Sequence, residues 1–135
     1  FLENKCGRLA QLARTLRFAG VNIRAVSLAD NADFGILRLM VDNVERATEA
    51  LRAAGYVVTQ TEVVAVEVDD RPGGLESVLN VLQENNVNVE YMYAFINKSP
   101  DSAVIIMRFD DTDRAISALQ RASVPIVNSE SLRSC

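Results

Sequence analysis

Apolar positions along the chain fall into a helix-then-strand order that is read twice. After a turn at Gly7, Leu9, Leu12, Ala13, Leu16 and Ala19 recur at helical spacing. After Gly73-Gly74, Leu75, Val78, Leu79 and Leu82 do the same. Gly20 stands where a left-handed cap would end the first helix, and Asn86 takes that place in the second. Strands are predicted next at 22–29 and 88–96. They are followed by polar turns at Asp30-Asn31-Ala32-Asp33 and at 97–101, then by apolar strands at 35–41 and 103–109. Asp42 and Asp110 precede second helices, where a carboxylate suits the N-terminal dipole. One apolar face is Val44, Ala47, Leu51 and Ala54, closed by Gly55; the other is Ala115, Ala118, Leu119 and Ala122. Last strands are expected at 56–61 and 125–128.

The two readings align at one offset. Asn4-Lys5-Cys6-Gly7-Arg8-Leu9 and Asp70-Arg71-Pro72-Gly73-Gly74-Leu75 lie 66 residues apart, as do Val21-Asn22-Ile23 and Val87-Asn88-Val89. Each copy reads β-α-β-β-α-β. That order predicts an α+β chain of two ferredoxin-like domains, 1–61 and 62–135, each an antiparallel sheet with both helices on one face. Phe1-Leu2-Glu3 reads as the tail of a strand whose counterpart, 63–68, is longer, so the first domain's first strand is truncated. A lone unit of ~65 residues is marginal in stability, so the copies are expected to share core or to dimerise.

Composition narrows the function. Apolar residues make up 49% and charged residues 24%, the balance of an ordinary soluble domain. No apolar run reaches a spanning length and no signal peptide is recognisable, so a cytoplasmic protein without membrane contact is expected. The net charge of −4 argues against a nucleic-acid partner. Cys6 and Cys135 form no metal-ligand pattern and fit a reducing compartment. The chain has no histidine, which argues against triad hydrolysis, histidine-zinc sites and histidine phosphotransfer. No metal, no cofactor and no catalytic set is expected.

The chemistry worth following is the loop and the asparagine. The first loop of each copy feeds a helix N-terminus, whose free N–H groups attract an anion such as a carboxylate. Glycine at Gly7, Gly73 and Gly74 permits a close approach to the backbone. Asn22 and Asn88 follow the helix end, and an amide both donates and accepts, as a ligand with amino and carboxylate groups requires. Two readings stay open: a ligand site in each copy, or tight turns whose asparagines satisfy only the backbone.

Loop, helix and asparagine, twice over, resemble the ACT domain, the small ligand-sensing module of amino-acid metabolism. The likeness covers essentially the whole chain, as in a stand-alone tandem ACT protein. The resemblance implies a non-catalytic regulatory protein that binds an amino acid at an interface between ACT units. In such families the first loop of one unit and the post-helix asparagine of its neighbour hold the ligand. By position, the loop residues are Asn4, Cys6 and Gly7, and Asp70, Pro72 and Gly73, with Asn22 or Asn88 from the neighbour. Cys6 departs from the usual proline. Asp70 is acidic where Asn4 is neutral, so it would repel a carboxylate but could hold an ammonium. A partner enzyme of amino-acid metabolism, regulated in trans, is implied.

Other readings attach to single features. An interaction module that binds no ligand is the first alternative. An acylphosphatase-like enzyme using Arg8 is the second, although the loop around Arg8 does not resemble theirs. RNA binding is disfavoured because 35–40 and 103–108 carry no aromatic residues for stacking bases. Asp30 and Asp33 read as a solvated turn rather than as metal ligands. Simple alternation puts Ala25, Ser27 and Ala29 on the face of Ile23, with Tyr91, Tyr93 and Phe95 as their counterparts. Two outcomes are open for those aromatics: packing under their own helices, or edge strands pairing side by side into one eight-stranded sheet. Alternation also leaves Val26, Leu28, Leu37 and Leu39, and Met92, Ala94, Ile105 and Met107, on a helix-free face that a sheet-on-sheet homodimer would cover.

Overall fold

Glycine turns and left-handed caps set the helix limits. α1 (Arg8–Phe18) begins after Gly7, and α3 (Gly74–Glu84) begins after Gly73. α1 ends as Gly20 turns left-handed, with φ 73°, and Asn86 does the same after α3, with φ 54°. There the Val21 N–H reaches back to the Leu16 carbonyl at 2.9 Å, and the Val87 N–H to Leu82 at 2.9 Å.

In this computed structural model, residues 1–3, 5–30, 34–95 and 100–128 are described. Two units form, Phe1–Gln60 and Thr61–Cys135. The first holds β1 (Leu2–Glu3), α1, β2 (Ile23–Asp30), β3 (Phe34–Val41) and α2 (Val44–Ala53). Its antiparallel sheet has the order β1-β3-β2. The second holds β4 (Val64–Asp69), α3, β5 (Val89–Ala94), β6 (Ser102–Phe109), α4 (Thr112–Arg121) and β7 (Ile126–Val127). Its antiparallel sheet has the order β5-β6-β4-β7.

Each unit buries one apolar layer between helices and sheet. Leu12 and Leu16 of α1 meet Ala47 and Leu51 of α2 over Leu2, Leu37 and Leu39. Val78 and Leu82 of α3 meet Ala115 and Leu119 of α4 over Val66, Met107 and Phe109. Burying each large side chain of this kind contributes about 1.5–3 kcal/mol. Among the described residues, no helix is long and apolar enough to cross a membrane.

Two expectations are corrected. The first concerns 56–61, which forms no strand. In the second unit, β7 pairs with Ala65 and Val66 of β4. In the first unit, among the described residues, the contact is a single bond, from the Phe1 amino group to the Val57 carbonyl at 3.0 Å, which matches the Glu67 N–H to Pro125 carbonyl bond of the second. Tyr56 and Val58 instead pack against the core as irregular chain.

The second correction concerns the sheet faces. A β-bulge interrupts the register between Ile23 and Ala25, and another between Val89 and Tyr91. One extra residue moves every following side chain to the opposite face. Directly paired residues share a face, so Val26 and Leu28, opposite Leu39 and Leu37, lie on the helix side. Met92 and Ala94, opposite Met107 and Ile105, lie there too. Ala25, Ser27 and Ala29 therefore do not share the face of Ile23. Tyr91 and Tyr93, opposite Arg108 and Ile106, lie on the helix-free face and do not pack under their own helices. Their rings stack with centroids 6.4 Å apart. The ground for a sheet-on-sheet homodimer over Val26, Leu28, Leu37 and Leu39 goes with this change.

Asp42 and Asp110 precede α2 and α4 as expected, one residue before each cap. The side chains that cap α2 and α4 are those of Asn43 and Asp111, which accept from the Arg46 and Arg114 N–H groups at 3.0 Å each. The Asp42 and Asp110 carboxylates accept from the Asn22 and Asn88 N–H groups instead. The predicted turns at 31–33 and 97–99, the strand end at Ile96, and Cys135 lie outside the described residues.

Candidate functional site

Each first loop closes through the same two backbone bonds. In the first unit, Lys5 N–H donates to the Glu3 carbonyl at 2.9 Å and Arg8 N–H to Lys5 at 3.2 Å. In the second, Arg71 N–H donates to Asp69 at 3.0 Å and Gly74 N–H to Arg71 at 3.0 Å. Gly7 and Gly73 then carry φ 87° and 85°, the left-handed region in which glycine is favoured. A Cβ at either position would meet nothing within 4 Å, so glycine serves backbone conformation there and the space above stays open. Gly74 differs. A Cβ on it would overlap the Asp69 carbonyl oxygen, so α3 can start only with glycine. The matching residue of the first unit is Arg8, so the two loops cannot superpose fully.

No side chain caps α1 or α3 among the described residues, whereas α2 and α4 are each capped. The second helix of each unit has one of its free N–H groups taken by a cap, whereas, among the described residues, the first helix has none taken by a side chain. The charge around the two open ends differs. At α1, Glu3 holds both Lys5 and Arg8 at 3.4 Å, and no acidic residue occupies the first helical turn. At α3, Asp69 holds Arg71 at 3.2 Å, Asp70 is exposed beside them, and Glu76 stands in the first turn. An anion is thus better matched to the start of α1.

Among the loop residues expected from the sequence, Cys6, Gly7, Asp70, Pro72 and Gly73 are all exposed. Asn4 lies outside the described residues. Asn22 and Asn88 are exposed at the other end of their helices, just before β2 and β5. α1 and α3 have 11 residues each. At 1.5 Å per residue, about 16 Å separates loop and asparagine within a unit. One unit therefore gathers its loop residues together but does not bring its own asparagine to them. Asn22 lines a shallow depression of about 420 Å³ with Arg17, Gly20 and Ile23. A larger open depression of about 620 Å³ lies beside Glu3, Arg8 and Gln11.

Sequence reasoning missed what holds the asparagines. The Asn22 N–H donates to Asp42 Oδ1 at 2.9 Å, and the Asp42 N–H donates to the Asn22 carbonyl at 3.1 Å. Asn88 and Asp110 repeat the pair at 3.0 and 3.1 Å. The available signal was an aspartate at the same place after β3 and after β6, 68 residues apart.

The family model described as an ACT domain pair matches residues 1–134. The crystal structure of protein BT0572 from Bacteroides thetaiotaomicron is 34% identical, with TM-score 0.93, over 99% of this chain and 92% of that one. The ligand-free regulatory subunit of aspartate kinase from Thermus thermophilus is 15% identical, with TM-score 0.63, over 90% of this chain and 87% of that one. Its counterpart from Thermus flavus is 14% identical, with TM-score 0.60, over the same shares. The likeness to these two subunits is one of fold. No curated protein matches the chain.

Proposed function

Because this chain belongs to the family of ACT domain pairs, we propose that it is a non-catalytic regulatory protein that binds a small amino acid where two ACT units meet. The observation that carries this reading is the contrast between helix starts. α1 and α3 begin at glycines without a side-chain cap, while α2 and α4 carry their own. An open helix start beside Lys5 and Arg8 suits a carboxylate, and an asparagine amide suits the remaining polar groups. The distance of about 16 Å along α1 supports a ligand that takes its loop from one unit and its asparagine from another.

The charges make the two loops unequal. The first, with Cys6 and Gly7 beside Lys5 and Arg8, receives the carboxylate. The second, with Asp70, Pro72 and Gly73 beside Asp69 and Glu76, binds an anion poorly and favours an ammonium group. Ligand binding stabilises one packing of the units, and a partner protein reads that state.

Isothermal titration with each of the twenty amino acids tests the reading. At least one is expected to bind saturably, and binding is expected to weaken on Asn22→Ala or on Asn88→Ala. No heat from any of the twenty contradicts amino-acid binding and favours an interaction module without a ligand.

A further inference from the structure

We propose that Asp42 and Asp110 are positioning residues for the ligand-facing asparagines, each fixing its asparagine through the backbone; this rests on the amino-acid-binding reading above. Asn22 and Asn88 occupy an awkward place in the chain. Each comes two residues after a left-handed cap and two residues before a β-bulged position. Strand pairing begins one residue later, at Ile23 opposite Val41 and at Val89 opposite Phe109. Both asparagines are exposed, so packing does not set their direction.

The aspartates supply what pairing and packing do not. Each accepts the asparagine N–H on a carboxylate oxygen, a charge-assisted bond, and returns its own N–H to the asparagine carbonyl. Each is also covalently joined to the residue that caps the following helix, Asn43 on α2 or Asp111 on α4. The asparagine backbone is thereby tied to the start of a helix packed on the core. The arrangement recurs although the offset between the copies has grown from 66 residues at the asparagines to 68 at the aspartates. An amide held this way meets its ligand with less ordering left to do, and preorganisation of that kind raises affinity.

The test combines amide hydrogen exchange with titration of the twenty free amino acids on the full chain. Asp42→Ala should speed exchange of the Asn22 N–H at least tenfold while α1 and β3 amides keep their rates. It should weaken binding about tenfold, the scale of having to order one freed side chain on binding. Asp42→Asn should restore both, because its amide oxygen still accepts the N–H. In an Asn22→Ala background, Asp42→Ala should weaken binding no further. Asp110 should behave in the same way toward Asn88. Three results would overturn the proposal: unchanged Asn22 exchange in Asp42→Ala, faster exchange with unchanged affinity, or a full additional loss in the double variant. If the unsubstituted chain binds none of the twenty, the functional reading fails, and exchange alone then upholds or overturns the clamp.

Discussion

The two units share a plan but differ in core and in charge. Among the described residues, Thr61–Cys135 has four strands, and its sheet buries Phe109 at 1% exposure. Phe1–Gln60 has three, and Val41, half-buried, stands where Phe109 does. The first unit carries eight basic and six acidic residues, a net charge of +2, and the second carries six and twelve, a net −6. The features both units keep are the uncapped first helix, the left-handed cap, the bulge and the Asn–Asp pair. Core size and surface charge have drifted while the left-handed turns, the bulge and the Asn–Asp pair recur, the loops themselves differing at Gly74 and Arg8. The retained set is backbone geometry; the changed set decides which ligand group each loop prefers.

Substitutions in matched pairs sharpen the comparison. The largest effect is expected in the cores. Phe109→Ala should cost about 3–5 kcal/mol in denaturant unfolding, and Val41→Ala less than half of that. Next comes the loop. Gly74→Ala should cost roughly 1–3 kcal/mol, because backbone must move away from the new methyl. Arg8→Ala, at the matching position, should stay within about 0.5 kcal/mol of the unsubstituted chain. Equal costs at Gly74 and Arg8 would mean that the loops are alike after all. The smallest difference is expected between the caps: Asn43→Ala and Asp111→Ala should each cost about 1 kcal/mol, and equally, because each removes the same 3.0 Å bond. Thermal melts of the two variants side by side check that equality.

Features that depend on a few neighbouring residues could be read in the sequence. Helical spacing, Gly7, Gly20, Gly73 and Asn86 located α1 and α3 because a turn or a cap is decided within one helical turn. Features that depend on a distant partner could not. The bulges at Arg24 and Glu90 exist only relative to β3 and β6, and a single inserted residue reversed the faces expected from alternation. The 56–61 segment has strand-like composition, but among the described residues its bond to the β1 side is a single one, from the Phe1 amino group to the Val57 carbonyl at 3.0 Å. Asp42 looked like a helix-dipole residue because its acceptor role is to a residue 20 positions earlier in the chain. The candidate site was legible as residue types at fixed places. The separation of its two halves by the length of a helix appears only in three dimensions.

The contrast between open and capped helix starts is tested most directly by an amide NMR titration with each of the twenty amino acids. A binding amino acid should move the backbone amides of Leu9 and Ala10 in the first turn of α1, together with the side-chain amide of Asn22 or Asn88. The capped amides of Arg46 and Arg114 should stay in place. Saturable shifts confined to other regions, or shifts at Arg46 and Arg114 equal to those at Leu9 and Ala10, would contradict it.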